Sequence, residues 1–191
     1  MVKIEGIKEI RNFWEKASSK RKRIYSSIFL LVIAILITSL GMLVPLNQEE
    51  AELINNNLNE TLSSIHPETG MVQFIFGNNF MICLLMFIPV VGPLLGFIVL
   101  FNTGIVINAI SIVQGYPAVI VSIALFLTPV AWIEYAAYST ALSESLWLFK
   151  RILKKRGRKE LRIACIFIAI CAILLLIGAI IETVIIGLNI K

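Results

Sequence analysis

Of the chain's 17 lysines and arginines, 16 fall into two clusters, eight from Lys3 to Arg23 and eight from Lys150 to Arg162, with none in the 126 positions between. Crossing a bilayer core takes about 20 apolar residues per helix and charge is costly there, so basic residues collect in the flanks that stay cytoplasmic. A 58% apolar composition points the same way, since soluble domains average about 45–50%. The expected fold is an all-α, polytopic transmembrane helical bundle in the cell membrane, with both basic clusters inside. Because the positive charge behind the net +5 is bunched in those clusters, it implies membrane lipids with anionic headgroups as partners and no nucleic acid. The first apolar run is longer than a signal-peptide core and has no small-residue cleavage site, so it reads as a retained helix.

Residues 3–20 place Ile4, Ile7, Ile10, Trp14 and Ala17 at spacings of three or four among basic residues, which predicts a basic amphipathic helix on the cytoplasmic face within a segment 1–23. A bundle over 24–187 follows. Its first span, 24–44, ends before Pro45, and the external segment 45–70 carries Glu49, Glu50, Glu52, Glu60 and Glu68 with no positive charge. In it Asn47 and Glu50 form a capping box, and Ala51, Ile54, Leu58, Leu62 and Ile65 make an apolar stripe that stops at His66-Pro67. That stripe rests either on the protein's own spans, on the membrane, or on a partner.

The stretch 71–113 is interrupted at Pro89, Gly92 and Pro93, which predicts a hairpin of spans 73–91 and 94–113. The next run, 118–149, has 32 residues, about 48 Å of helix against a core of about 30 Å. Pro129 is the expected break, giving either a re-entrant half-helix 118–128 before a full span or one long kinked helix. After the cytoplasmic basic loop 150–162, a last span over 163–187 gives five crossings with the N terminus inside and the C terminus outside.

Ionisable residues within spans are rare and need a reason. Glu134 and Glu182 are the two clearest cases, accompanied by Asn78, Asn79, Asn102 and Asn108. Counting helical rise from the span ends puts Asn78, Asn79, Asn108 and Glu182 towards the outer side, with Glu134 joining them only if its helix restarts at Pro129 and Asn102 deeper. They form a candidate intramembrane polar site, an outward vestibule, with helix-to-helix hydrogen bonding as its structural alternative. Gly92, Gly96, Gly104 and Gly178 read as close-packing positions.

Catalytic signals are nearly absent. There is no aspartate, which removes aspartyl intramembrane proteolysis, and the one histidine, His66, lies outside the spans. Cys83, Cys165 and Cys171 form neither a CxxC pair nor a metal spacing and read as packing residues. No phosphate-binding or dinucleotide motif is present, so neither a cofactor nor a metal is expected. Asn59-Glu60-Thr61 is a glycosylation sequon on the expected external side.

Three stretches resemble the stage II sporulation protein M family of small integral membrane proteins: Phe76-Gly77-Asn78-Asn79 with the later Asn102-Thr103-Gly104, Pro129 with Glu134, and Ile181-Glu182. Val130 and Ala131 stand where the family has His-Gly, and Thr103 separates an Asn and Gly that it has adjacent. The resemblance implies a non-enzymatic protein that scaffolds or recruits partners in an envelope-remodelling or membrane assembly. The alternative from the residues themselves is a transporter or channel subunit using Glu134 and Glu182, with the broken run as its discontinuous helix. Either reading expects a homo-oligomer or a membrane protein partner.

Overall fold

The computed structural model describes residues 18–63, 65, 70–155 and 157–189. Most of the amphipathic helix expected near the N terminus, and the helix end expected at His66-Pro67, lie outside those residues. Among the described residues the chain forms seven α-helices and no strand: α1 (Ser19–Gly41), α2 (Gln48–Ser63), α3 (Gly70–Met86), α4 (Val91–Gln114), α5 (Ala118–Leu127), α6 (Pro129–Leu153) and α7 (Gly157–Asn189). Three of them, α1, α4 and α7, are long and apolar enough to cross a membrane, and the α5–α6 pair makes a fourth if counted as one span. At 17 residues, or about 25 Å, α3 is shorter.

The side chain of Ser18 accepts from the Arg21 amide and starts α1, so Lys20–Arg23 belong to the first long helix rather than to a separate surface element. The capping box of α2 is formed: Asn47 Oδ1 accepts from the Glu50 amide at 2.8 Å, and Glu50 Oε2 accepts from the Asn47 amide at 3.0 Å. The helix so started lies along α4, and Ala51, Ile54, Leu58 and Leu62 are its shielded residues. Of the three resting places open to this stripe, the protein's own helix is the one it takes. Glu49, Glu50, Glu52 and Glu60 remain exposed on the other side.

Between α3 and α4 the hairpin turns where the prolines predict. Val90 (φ 70, ψ −54) sits at its centre, and the Val91 amide donates to the Pro89 carbonyl at 2.8 Å, a γ-turn that few β-branched residues adopt. The expected break before Pro129 is also real, and it is sharper than a kink. Helices α5 and α6 meet at 86°. A proline cannot donate to the carbonyl four residues back, yet that carbonyl and the next both find donors. The Leu125 carbonyl accepts from the Thr128 amide (3.1 Å) and hydroxyl (2.7 Å), and the Phe126 carbonyl accepts from Trp132 Nε1 at 2.8 Å. Phe126 also packs its ring against Trp132 and Tyr135.

Helix α6 is the hub, touching α1, α3, α4, α5 and α7. Half of its buried positions are small, Ala131, Ala137, Ser139, Ala141, Ser143 and Ser145, which lets neighbouring backbones come close where hydrocarbon supplies no hydrophobic drive. Leu30, Met86, Leu100, Leu142, Leu175 and the buried thiols of Cys83 and Cys171 fill the space around it. Cys165 is exposed. On the outside, Ile166, Ile170, Ile173, Ile177, Ile180 and Val184 run down α7 as an exposed stripe at spacings of three and four, as a lipid-facing helix requires.

Helices α1 and α4 cross at two glycines. A Cβ on Gly41 would stand 2.0 Å from the Phe101 carbonyl oxygen, and one on Gly104 would stand 2.1 Å from that of Thr38. Gly41→Ala or Gly104→Ala should therefore cost about 1–3 kcal/mol, since only backbone can move aside. Gly77→Ala, whose added carbon meets nothing within 4 Å, should be silent; reversible unfolding in mixed micelles measures all three. In the same assay Trp132→Phe, which removes the donor to the Phe126 carbonyl, should cost about 1 kcal/mol.

Candidate functional site

Two polar layers lie within the bundle, one in the half where α6 begins and one at the end where it leaves. The first contains residues singled out from the sequence. Glu134, one turn into α6, is half-buried and accepts a hydrogen bond from the Asn79 side-chain amide of α3. Glu182 of α7 lies within electrostatic range of Glu134. Three helices thus contribute to one polar patch. Asn78 is exposed at its edge, its amide 3.4 Å from Asn79 Oδ1. Below, the Tyr135 hydroxyl meets the Thr38 hydroxyl at 2.7 Å, and Thr38 also donates to the Ala34 carbonyl of its own helix.

The other expected members are engaged differently. Asn108 donates to the Val44 carbonyl at 2.8 Å and so ties the chain leaving α1 to α4. Ser111 donates to the Asn108 carbonyl at 2.7 Å. Asn102 is exposed on α4 and makes no side-chain hydrogen bond among the described residues. Asn59 is exposed on α2, within a helix whose Thr61 hydroxyl donates to the Asn57 carbonyl.

The second layer was missed by the sequence reading. Glu144, at 2% exposure, is more deeply buried than Glu134 or Glu182, and it sits within the run counted as the fourth span. The two amino groups of the Arg23 guanidinium separate their work: Nη1 pairs with Glu144 of α6 and Nη2 with Glu160 of α7. Arg151 Nε approaches the other Glu160 oxygen at 3.8 Å. Two arginines therefore offset two acids, and the cluster is neutral as a unit. Trp147 lies beneath it, with Arg23, Lys150 and Arg151 at 5.3, 5.5 and 5.9 Å from its ring centre, a cation–π arrangement. Its Nε1 donates to the Ser26 hydroxyl at 3.1 Å, and Ser26 in turn meets the Ser143 hydroxyl.

A signal for this layer was present in Ser143-Glu144-Ser145, a polar triplet inside an apolar run. What disguised it was the nearby basic cluster, which makes Arg23, Arg151 and Glu160 look like ordinary solvated flanks. The geometry makes α1, α6 and α7 one cross-linked unit at this end. It holds no group of His, Cys or Glu residues able to bind a metal ion among the described residues.

Apolar helices of spanning length, a lipid-facing stripe and polar residues met by other helices define a helical membrane protein. Within that class the chain belongs to the stage II sporulation protein M family, whose sequence profile matches residues 26–185. That stretch includes Asn79, Glu134, Glu144, Glu160 and Glu182, and Arg23 precedes it. Neither the curated proteins nor the solved structures give a match to this chain.

Removing one partner from a buried ion cluster strands the others, at a cost of about 3–5 kcal/mol. Arg23→Gln should destabilise the protein by that order. Replacing Arg23, Glu144 and Glu160 together by Met, Leu and Met should restore most of it, measured by unfolding in micelles.

Proposed function

We propose that this protein is a non-enzymatic scaffold of the cell membrane, recruiting partners to an envelope-remodelling or membrane assembly. It crosses the bilayer five times, α3 being the short crossing and α5–α6 the broken one. Positive-inside bias puts the N terminus and the α6–α7 loop in the cytoplasm, and α2 and the C terminus outside. Family membership supports the reading in kind. The observation that carries it in particular is the seating of α2. With its stripe against α4 and its start capped at both amides, α2 presents Glu49, Glu52 and Glu60 as a held acidic face, with no Lys or Arg between residues 24 and 149 to neutralise it. Such a face suits a basic partner outside the membrane, and a charged rim governs encounter rate and selectivity. Lipid-exposed faces such as that of α7 suit a second copy of the chain or another membrane protein.

A second reading has its own observation. The Asn79–Glu134 hydrogen bond, with Glu182 within electrostatic range of the acid, sits one turn after the 86° break, and discontinuous helices beside intramembrane acids are common at transport sites. In this reading Glu134 and Glu182 carry a proton or a cation for a transporter or channel subunit.

The two separate by substitution. A photo-crosslinking amino acid at position 53, beside the acidic face, should trap a discrete protein in the native host, and the triple change Glu49→Lys, Glu52→Lys, Glu60→Lys should lose that adduct. Glu134→Gln and Glu182→Gln should leave it in place. If no adduct forms, while the two Gln variants fold but abolish a proton or solute flux in proteoliposomes, scaffolding is wrong and transport is right.

A further inference from the structure

Helices α1 and α7 both pack along α6 at the basic end and hardly touch one another. The gap between them is a cleft of about 860 Å³. Ile24 and Ile28 of α1 and Ile163 and Phe167 of α7 give its walls an apolar stretch, Thr140 and Glu144 of α6 form the floor, and the paired Arg23 and Glu160 also line it. At the mouth, Ser19 and Arg151 also line a second, smaller recess of about 190 Å³. There the character reverses. Lys22, Lys150, Arg151 and Lys154 surround Trp147, and no carboxylate lines the recess.

Charge decides what this pair of spaces suits. Glu144 and Glu160 are already matched by Arg23 and Arg151. The lysines left over are Lys20 at the cleft rim and Lys150 and Lys154 around the recess. Lys150 and Lys154 are exposed and form no ion pair among the described residues. A small, strongly positive recess joined to a longer apolar cleft, placed where α1 and α6 reach the membrane surface, matches a molecule with an anionic head and a hydrocarbon tail.

We infer that the α1–α6–α7 cleft is a binding site for one anionic phospholipid. Its phosphate sits in the recess against Lys150, Arg151 and Lys154, and one acyl chain lies in the cleft along Ile24, Ile28 and Phe167. Basic pockets between transmembrane helices on the cytoplasmic side have this form generally. The site goes beyond the diffuse attraction of a basic surface for a charged leaflet, because it holds a single lipid in stoichiometric contact with the Arg23 cluster. It rests on the membrane character of the chain and not on the scaffolding reading.

The test is lipid titration of the detergent-purified full chain by native mass spectrometry, with phosphatidylglycerol, phosphatidylcholine of the same acyl chains, and glycerol 3-phosphate as probes. One phosphatidylglycerol should be retained in preference to phosphatidylcholine, and glycerol 3-phosphate should not displace it. The double variant Lys150→Gln, Lys154→Gln should bind phosphatidylglycerol roughly 25-fold more weakly, the loss expected for two basic contacts at a membrane surface. These two side chains are exposed, so circular dichroism and gel filtration should be unchanged. Equal retention of the two phospholipids overturns the inference. Displacement by glycerol 3-phosphate overturns it in favour of a soluble anion. Undiminished binding by a folded double variant overturns the assigned recess.

Discussion

Hydrocarbon offers no hydrogen bonds and screens no charge, so a polar group buried within the bundle is costly unless another part of the chain meets it. The architecture depends on how this is done. Arg23 enters between Glu144 and Glu160 and binds α1 to α6 and α7 at one end. Further along, Thr38 and Tyr135 join α1 to α6 again, and Asn79 joins α3 to α6 through Glu134. Between these contacts, dispersion and small-residue packing do the rest, as at Gly41 and Gly104, where α1 and α4 meet backbone to backbone.

The same constraint explains the breaks. Where Pro129 withholds a donor, Thr128 and Trp132 supply replacements, so a turn of 86° leaves neither nearby carbonyl unpaired. Helix α5 can then run almost at right angles to α6, with no buried residue of its own and most of its apolar side chains facing outward, Phe126 excepted. At the α3–α4 hairpin the chain accepts a γ-turn at Val90, and Ser145 of α6 donates to the Ile88 carbonyl at 2.7 Å to hold that turn against the hub. At these two breaks the irregular backbone lies where α6 is near enough to help satisfy it.

The two polar layers differ in what they can do. At the basic end the acids are matched by arginines and packed over Trp147, an arrangement suited to holding three helices in place and to shaping the cleft beside it. In the opposite half, Glu134 has a neutral amide for a partner and Glu182 within electrostatic range, and neither acid forms an ion pair among the described residues. A matched cluster resists change in its charge state, whereas an unmatched pair of acids is the kind of group that can exchange a proton or hold a cation.

Charge and hydropathy along the chain determined by themselves that this is a helical membrane protein. They located the hairpin at Pro89–Pro93, the break at Pro129 and the capping box at Asn47 and Glu50, because local backbone chemistry sets these. The pairing of Asn79 with Glu134 was legible in part, since both lie in the half of the bundle away from the basic clusters. What only tertiary structure decided was which polar groups meet. Asn108 serves the Val44 carbonyl, Asn102 faces outward, and the stripe of α2 rests on α4, none of which depth along a helix can specify, because depth says nothing of rotation about the axis. Glu144 is the most buried acid among the described residues, and Arg23, 121 positions earlier, reaches it across the bundle. Such a contact leaves no periodic mark in a sequence; it exists only once three helices have packed.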